Sequence, residues 1–272
     1  MLFPPHLVAD EKHSWWRGDR VYLATTVAAG CFLGVEVSET ADTVGLTQAY
    51  GTFAQEALAH CPDYRPETVN TDGWESTQAA WQRLFPKVTL ILCFLHTVLG
   101  IQQSCRRNRA FFKDISDKLW QLYQSLDRRS FGQRLRRLLE WASQQDLSEV
   151  LQKKLQKLRQ KSERFQLAFD FPATYRTSNQ VDRLMNYQDR VLFAMQYFHG
   201  TKESMRQGIR AMALLWNFHP YGQKTLDLTP DSRSPFEDLN GFRYHDHWLR
   251  NLLIATSLNA RGCGLPSKHK MS

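Results

Sequence analysis

The stretch VNTDGWES, residues 69–76, decides how the first part of this chain folds. It begins as a short strand, the pair Asp72-Gly73 predicts a turn, and Trp74 is predicted to open a helix. An aspartate in this place has two interpretations. It forms a simple turn, because aspartate and glycine both suit turn backbones, or it presents its carboxylate to a metal ion.

Strand and helix patterns alternate on both sides of this stretch. Strands are predicted in HLVADE, VYLATTVAA, FLGVEVSE, ETVNTD and the fully apolar VTLILCFL. Helices are predicted in TVGLTQAYGTFAQEALAHC and STQAAWQRLFP, where apolar residues recur at helical spacing. The order β-β-β-α-β-α-β predicts an α/β fold with a mixed sheet flanked by helices.

The character of the chain changes after residue 96. Residues 97–172 are helical in pattern, rich in Gln, Leu, Lys and Arg, and contain no proline before Pro172. Strong helix patterns resume after that break and stop near Pro220, and the remaining residues are rich in loop formers. We therefore predict a first core segment (1–96), a basic helical insertion (97–172), the last core helices (173–222) and a loop-rich C-terminal extension (223–272).

Composition excludes several classes of protein. The longest apolar run, residues 88–101, is interrupted by His96 and is too short for a membrane span, and the N-terminus lacks a signal-peptide pattern. These features predict a cytoplasmic protein. Five scattered cysteines without a C-x-x-C pair predict reduced thiols and no structural zinc finger. The sequence motifs of serine hydrolases, P-loop NTPases and dinucleotide-binding folds are absent.

The chain is basic, with a formal net charge of +8, and acids are sparse where its arginines and lysines cluster. Such clusters indicate contact with a DNA or RNA backbone, although a solvated helix face has the same pattern. Two further arginines flank the start of the helix after the insertion, where they contact phosphate or solvent. The candidate DNA-binding residues are Arg106, Arg107, Arg109, Arg128, Arg129, Arg136, Arg137, Lys153, Lys154, Lys157, Arg176 and Arg183.

Three acids fall at the ends of predicted elements. Asp10 closes the first strand, Asp72 closes the fourth, and Asp182 lies in the first turn or so of the helix after the insertion. Taken singly, they are explained as a solvated strand end, a turn residue and a partner of the helix dipole. Together they match the converging carboxylates that two divalent metal ions require in phosphoryl transfer.

Four pieces of sequence carry a resemblance to a known family: VADEKH, VNTDGWES, CFLH and RTSNQVDRLMN. In this order they resemble the DDE/DDD transposases of bacterial insertion sequences and the related mutator-like transposases, over about residues 5–220. The resemblance implies an RNase H-like mixed sheet with an all-α insertion before the last catalytic helix. It implies that Asp10, Asp72 and Asp182 are catalytic and bind two Mg²⁺ ions, with Mn²⁺ as a substitute.

The implied activity is metal-dependent DNA cleavage and strand transfer at transposon ends, by a homo-oligomer on DNA in the bacterial cytoplasm and nucleoid. Cys93, His96 and Asn179 are the supporting residues by the same match. Each also has a structural interpretation. Cys93 is a small core residue, His96 orients a carboxylate, touches DNA or packs in the core, and Asn179 caps a helix.

The sequence departs from the family pattern in two places. The third acid is aspartate where glutamate is usual, and Asp189, seven residues on and on nearly the same helix face, is the alternative. Only nine residues precede Asp10, where the family carries a DNA-binding region. A nuclease without strand transfer, an inactive DNA-binding remnant and a helical scaffold that does not bind nucleic acid therefore remain as alternatives.

Overall fold

The structure is a computed structural model that describes residues 3–105, 109–229, 231 and 233–258. The order β-β-β-α-β-α-β predicted for the first part of the chain is confirmed. The elements of this part are β1 (His6–Trp16), β2 (Asp19–Ala28), β3 (Cys31–Ser38), α1 (Thr43–His60), β4 (Thr68–Thr71), α2 (Glu75–Leu84) and β5 (Thr89–Leu92).

The strands form one five-stranded sheet with the order β3-β2-β1-β4-β5. The hairpin β2–β3 is antiparallel, while β1 pairs with β4 and β4 pairs with β5 in parallel. A mixed sheet of this order, with helices between its parallel strands, is the RNase H-like arrangement. The predicted fold class is therefore confirmed by the topology itself.

The rest of the chain is helical. After β5 come α3 (Phe94–Cys105), α4 (Arg109–Tyr123), α5 (Arg128–Ser143), α6 (Glu149–Gln160), α7 (Ser162–Gln166) and a short 3-10 helix (Leu167–Asp170). Then follow α8 (Asn179–Ala194), α9 (Lys202–Phe218), α10 (Gln223–Leu228), α11 (Pro235–Asn240) and α12 (Trp248–Leu258). None of the helices in the described ranges is long and apolar enough to cross a membrane.

The expectation of a loop-rich segment after residue 222 is wrong, because it contains the three helices α10, α11 and α12. The signals for α11 are present in SPFEDLNG. Ser234 accepts the Glu237 N–H as an N-cap, Pro235 opens the helix, and Gly241 ends it in the left-handed conformation. The proline and glycine that suggested a loop are thus the first residue and the C-cap of a short helix.

The chain divides into two compact units. The first, here called the hairpin unit, comprises Met1–Pro4, Glu11–Tyr64 and Gln180–Ser272. Helices α1 and α9 of this unit pack on β3. The Asn217 side chain of α9 accepts the Phe32 N–H (2.9 Å) and donates to the Phe32 carbonyl (2.8 Å), which fixes the helix against the strand.

The second, here called the insertion unit, comprises Pro5–Asp10 and Arg65–Asn179. Its helices enclose a hydrophobic core in which Ile115, Phe131 and Leu158 are fully buried. Leu92 at the end of β5 and Phe94 at the start of α3 belong to the same core. The helical region therefore begins at the end of the sheet and shares its core with β5, three residues before the predicted boundary at residue 97.

Candidate active site

Asp10 and Asp72 lie at the same level of the sheet in the insertion unit. The parallel pairing of β1 and β4 ends with Val8 opposite Asn70, and Asp10 and Asp72 each follow this pair by two residues, which brings them to a similar level. The ladder continues past β4 on its other side, where the Cys93 N–H donates to the Thr71 carbonyl at 2.7 Å. Two carboxylates distant in sequence are therefore brought to the region around the C-terminal end of β4, which is here called the carboxylate edge of the sheet.

The prediction that Asp10 closes the first strand is wrong, because β1 continues to Trp16. The strand runs on until the chain turns at Arg17 and Gly18, which both have positive φ (52° and 89°). Asp10 is instead an inner strand residue with only 9% of its surface exposed. A buried carboxylate is costly unless charged or polar groups surround it, which suits a metal ligand better than a solvated strand end.

Asp72 forms the predicted turn directly after β4. Its Oδ1 accepts the Trp74 N–H at 2.7 Å, and this bond takes one of the two carboxylate oxygens. Gly73 has a φ of +97°, and a Cβ there would lie 3.0 Å from Leu92 Cδ2. Only glycine suits this conformation without strain. The turn therefore fixes the orientation of the Asp72 carboxylate, so the turn role and a metal-binding role are compatible.

His96 connects the two carboxylates electrostatically. A hydrogen bond with Cys93 raises the pKa of His96 to about 9, and the negative charges of Cys93, Asp10 and Asp72 add to this effect. Burial opposes ionisation of the Cys93 thiol, but hydrogen bonds from His96 and Ser178 bring its pKa below the usual value. At neutral pH, His96 is therefore a cation, and it lies close enough to both aspartates for their charges to raise its pKa.

The segment before α8 is held along the end of the sheet. Four contacts fix it: Thr174 Oγ1 with Thr68 Oγ1 (2.6 Å), the Tyr175 carbonyl with Asn70 Nδ2 (2.9 Å), the Arg176 carbonyl with the Phe94 N–H (3.0 Å), and the Ser178 N–H with Cys93 Sγ (3.2 Å). These bonds explain why Cys93 matters, because its sulfur anchors the chain immediately before Asn179, the first residue of α8.

The two candidates for the third acid lie on α8 in the hairpin unit. Asp182 is in the first turn and is half-buried. Asp189 forms an ion pair with Lys12 of β1 in the same unit, so its charge is already balanced. Across the described part of the chain, no three His, Cys, Asp or Glu side chains are grouped so that they could hold a metal ion. The third ligand therefore stays a prediction from the sequence.

The pair Asp10 and Asp72 fits magnesium by the chemistry of its donors. Mg²⁺ prefers hard oxygen ligands, and one or two carboxylates suffice when water and substrate phosphate complete the shell. The Cys93 sulfur and the His96 imidazole are softer donors that bond each other, and the sulfur also accepts the Ser178 N–H.

Two of the predicted DNA-binding residues are used within the fold instead. The Arg176 guanidinium lies over the rings of Tyr123 (4.9 Å) and Phe169 (4.7 Å) and donates to the Ser125 carbonyl at 3.3 Å. Burial there lowers the pKa of Arg176. Lys154 donates to the Gly100 carbonyl and so joins α6 to α3. Both side chains are half-buried and have partners within the fold, so their contact with DNA stays a prediction.

The other predicted cations divide by their surroundings. Arg128, Arg136 and Lys153 form exposed ion pairs with Asp170, Glu140 and Glu149, and such pairs separate at little cost. Arg129, Arg137, Lys157 and Arg183 are exposed. Arg106 and Arg107 lie outside the described residues, as does the side chain of Arg109, whose backbone starts α4.

The list of candidate DNA-binding residues omits two basic residues of the same run that lie close to the Asp72 turn. Lys161 Nζ lies 3.8 Å from the position that a Cβ on Gly73 would occupy. Arg164 donates to Gln78 Oε1 at 2.7 Å. Both belong to a basic run in which the local spacing does not distinguish the lysine or arginine that faces the sheet from those that face solvent.

Comparison with known proteins adds little. No protein-family model and no curated protein sequence matches the chain. A solved structure of the HTLV-2 integrase catalytic core domain with magnesium shares 17% identity, over 45% of this chain and 89% of that one, with a TM-score of 0.26. A simian T-cell lymphotropic virus intasome in complex with a PP2A regulatory subunit shares 14% identity, over 58% of this chain and 49% of that one, with a TM-score of 0.24. These similarities are too weak to identify the fold, and the RNase H-like assignment comes from the strand order of the sheet.

Proposed function

We propose that this chain is a DDD-type transposase that cleaves DNA and transfers strands at transposon ends. The observation that supports this best is the placement of Asp10 and Asp72 at the same level of an RNase H-like sheet, both close enough to act on His96. Paired carboxylates at this edge suit phosphoryl transfer, since they hold divalent ions against a phosphodiester.

Asp10, Asp72 and, by the sequence resemblance, Asp182 are the proposed metal ligands. When bound, two Mg²⁺ ions activate the attacking water or 3′-hydroxyl and stabilise the leaving oxygen. The protein contributes orientation. The bond from the Trp74 N–H holds the Asp72 carboxylate, and the His96 cation offsets the repulsion between the two aspartates.

DNA is the proposed partner, bound by a homo-oligomer in the bacterial cytoplasm and nucleoid. The proposed contacts to the phosphate backbone are four exposed basic residues: Arg129, Arg137, Lys157 and Arg183. Contacts of this kind release counterions, so the affinity for DNA falls steeply as salt is raised.

The test is nicking of supercoiled plasmid DNA with Mg²⁺ or Mn²⁺ by the wild type, Asp10→Asn and Asp72→Asn. We expect each substitution to reduce nicking by about a hundredfold or more, because a ligand to the catalytic metals is lost. Asp114→Asn, at an exposed position of α4, is the matched control and should nick like the wild type. Equal nicking by all four proteins would reject the assignment.

A second assay separates a transposase from a nuclease. A labelled oligonucleotide with a free 3′-hydroxyl is incubated with plasmid, and joined product is measured. Joining by the wild type and not by Asp72→Asn supports strand transfer. Nicking without joining favours the nuclease, and DNA binding without nicking favours the inactive remnant.

A further inference from the structure

Lys161 lies where the helical insertion meets the carboxylate edge of the sheet. It occupies the junction between α6 and α7, and its ammonium group lies 3.8 Å from the place of a Cβ on Gly73. Because Gly73 has no side chain, nothing on that residue separates the ammonium from the turn. Gly73 directly follows Asp72, so a positive charge of the insertion lies beside a proposed metal ligand.

The backbone around Lys161 is held by its neighbours. Its N–H donates to the Lys157 carbonyl at 3.0 Å, and Phe165, four residues later, is buried in the helical core. Arg164 donates to Gln78 Oε1 at 2.7 Å, and Gln78 is a buried residue of α2 within the same unit. The α6–α7 junction is thus bonded to the element that follows the Asp72 turn.

The charge of Lys161 has no acidic partner among the residues that the structure describes, although its side chain is half-buried. By contrast, Lys153 on the preceding helix pairs with Glu149, and Lys154 bonds a backbone carbonyl. An ammonium that lacks a protein counter-ion is open to an anion that arrives with a ligand. A compact ammonium is well suited to a phosphate oxygen.

We infer that Lys161 binds a backbone phosphate of the DNA strand whose scissile phosphodiester is held at Asp10 and Asp72. This rests on the proposed function and adds to it a named phosphate-binding residue supplied by the insertion. The insertion then has a role at the reacting strand in addition to general attraction of DNA. Arg164 is the positioning residue, because it holds the junction from which Lys161 extends.

The kinetic test compares Lys161→Ala and Lys161→Arg with the control Lys87→Ala. Lys87 is also a lysine, but it is exposed and precedes β5, so it lies at the opposite end of that strand from Cys93. We expect Lys161→Ala to lower the nicking rate about tenfold or more at saturating plasmid, Lys161→Arg to keep most of it, and Lys87→Ala to stay within about twofold. Thermal unfolding checks that all three proteins are folded.

A binding test does not depend on activity. Lysine acetylation is measured by mass spectrometry on the wild-type protein, with and without a DNA duplex of arbitrary sequence. We expect DNA to protect Lys161 at least about threefold more than Lys87.

These results separate the two proposals. Unprotected Lys161, or equal nicking by Lys161→Ala and wild type, overturns the role of Lys161 and leaves the transposase proposal intact. If Asp10→Asn and Asp72→Asn nick like the wild type, the transposase proposal fails, and the acetylation result still decides whether Lys161 meets DNA. Equal losses in Lys161→Ala and Lys87→Ala indicate general charge attraction and also overturn the inference.

Discussion

Gly73 shows how a single residue places the candidate site. Its φ of +97° belongs to a region that side chains with a Cβ rarely adopt, and a Cβ would press on Leu92. We expect Gly73→Ala to destabilise the protein by about 1–3 kcal/mol and to reduce nicking, because the Asp72 turn must move. Urea unfolding measures the first effect.

The matched control for this change is Gly132→Ala in α5. Nothing lies within 4 Å of the place of its Cβ, and it is a helix residue without a positive φ. Alanine there should stabilise the helix by about 0.5–1 kcal/mol. If both substitutions had the same effect on stability, the strain at Gly73 would be disproved.

His96 reports on the charges of the site at residue scale. Its pKa is raised first by the hydrogen bond with Cys93 and then by the charges of Cys93, Asp10 and Asp72. Each of these favours the imidazolium, so removing any one lowers the pKa. We expect Asp72→Asn to lower it from about 9, and Cys93→Ser to lower it further, as measured by NMR titration of the imidazole.

The exposed substitution Asp114→Asn should leave the His96 titration unchanged. An unchanged titration in Asp72→Asn as well would show that this carboxylate is not close to His96, and the proposed pairing of Asp10 with Asp72 would lose its electrostatic support.

At the scale of elements, the sequence predicts the strands better than their ends. Buried strands such as β5 are continuous apolar runs, and helices such as α1 show apolar residues at helical spacing. The order of strands and helices can therefore be predicted from the sequence. The length of β1 cannot be predicted in this way, because the polar residues Glu11, Lys12 and His13 suggest that the strand has ended. Tertiary contacts override this pattern, as Tyr50 binds Glu11 and Asp189 pairs with Lys12.

The same limit applies to Arg176 and Arg137, which the sequence placed together as DNA contacts. The structure places the first between two aromatic rings and the second on the exposed surface of α5. We expect Arg176→Ala to cost about 1–3 kcal/mol of stability, since it removes two ring contacts and a hydrogen bond to the Ser125 carbonyl.

Arg137→Ala should change the free energy of unfolding by no more than about 0.5 kcal/mol and should instead weaken DNA binding in a salt-dependent way. Urea unfolding and DNA titration at two salt concentrations measure both quantities. A stable Arg176→Ala protein with impaired DNA binding would restore the original assignment.

At the scale of the whole molecule, the candidate site depends on register as well as on motif. The aspartate motifs were visible in the sequence, but the pairing of Val8 with Asn70 is needed to infer that Asp10 and Asp72, each two residues further on, lie at a similar level. Lys161 had no such signal, because its approach to Gly73 depends on how α6 and α7 pack. Long-range packing of this kind has no local trace in composition or periodicity.

The third ligand is the remaining question at this scale, and metal-linked stability can answer it. An ion that binds only the folded chain raises the unfolding temperature, and the shift grows with the logarithm of the ion concentration relative to its Kd. We expect Mn²⁺ or Mg²⁺ to stabilise the wild type, and Asp182→Asn to need roughly tenfold or more metal for the same shift. Asp189→Asn is the matched control, because Asp189 is already paired with Lys12. It should lose a little stability without metal, yet respond to metal like the wild type. If instead Asp189→Asn needs more metal and Asp182→Asn responds like the wild type, Asp189 is the ligand. The ion must then displace Lys12 from Asp189. An equal response of both variants would limit the metal site to Asp10 and Asp72, with substrate phosphate and water as the other ligands.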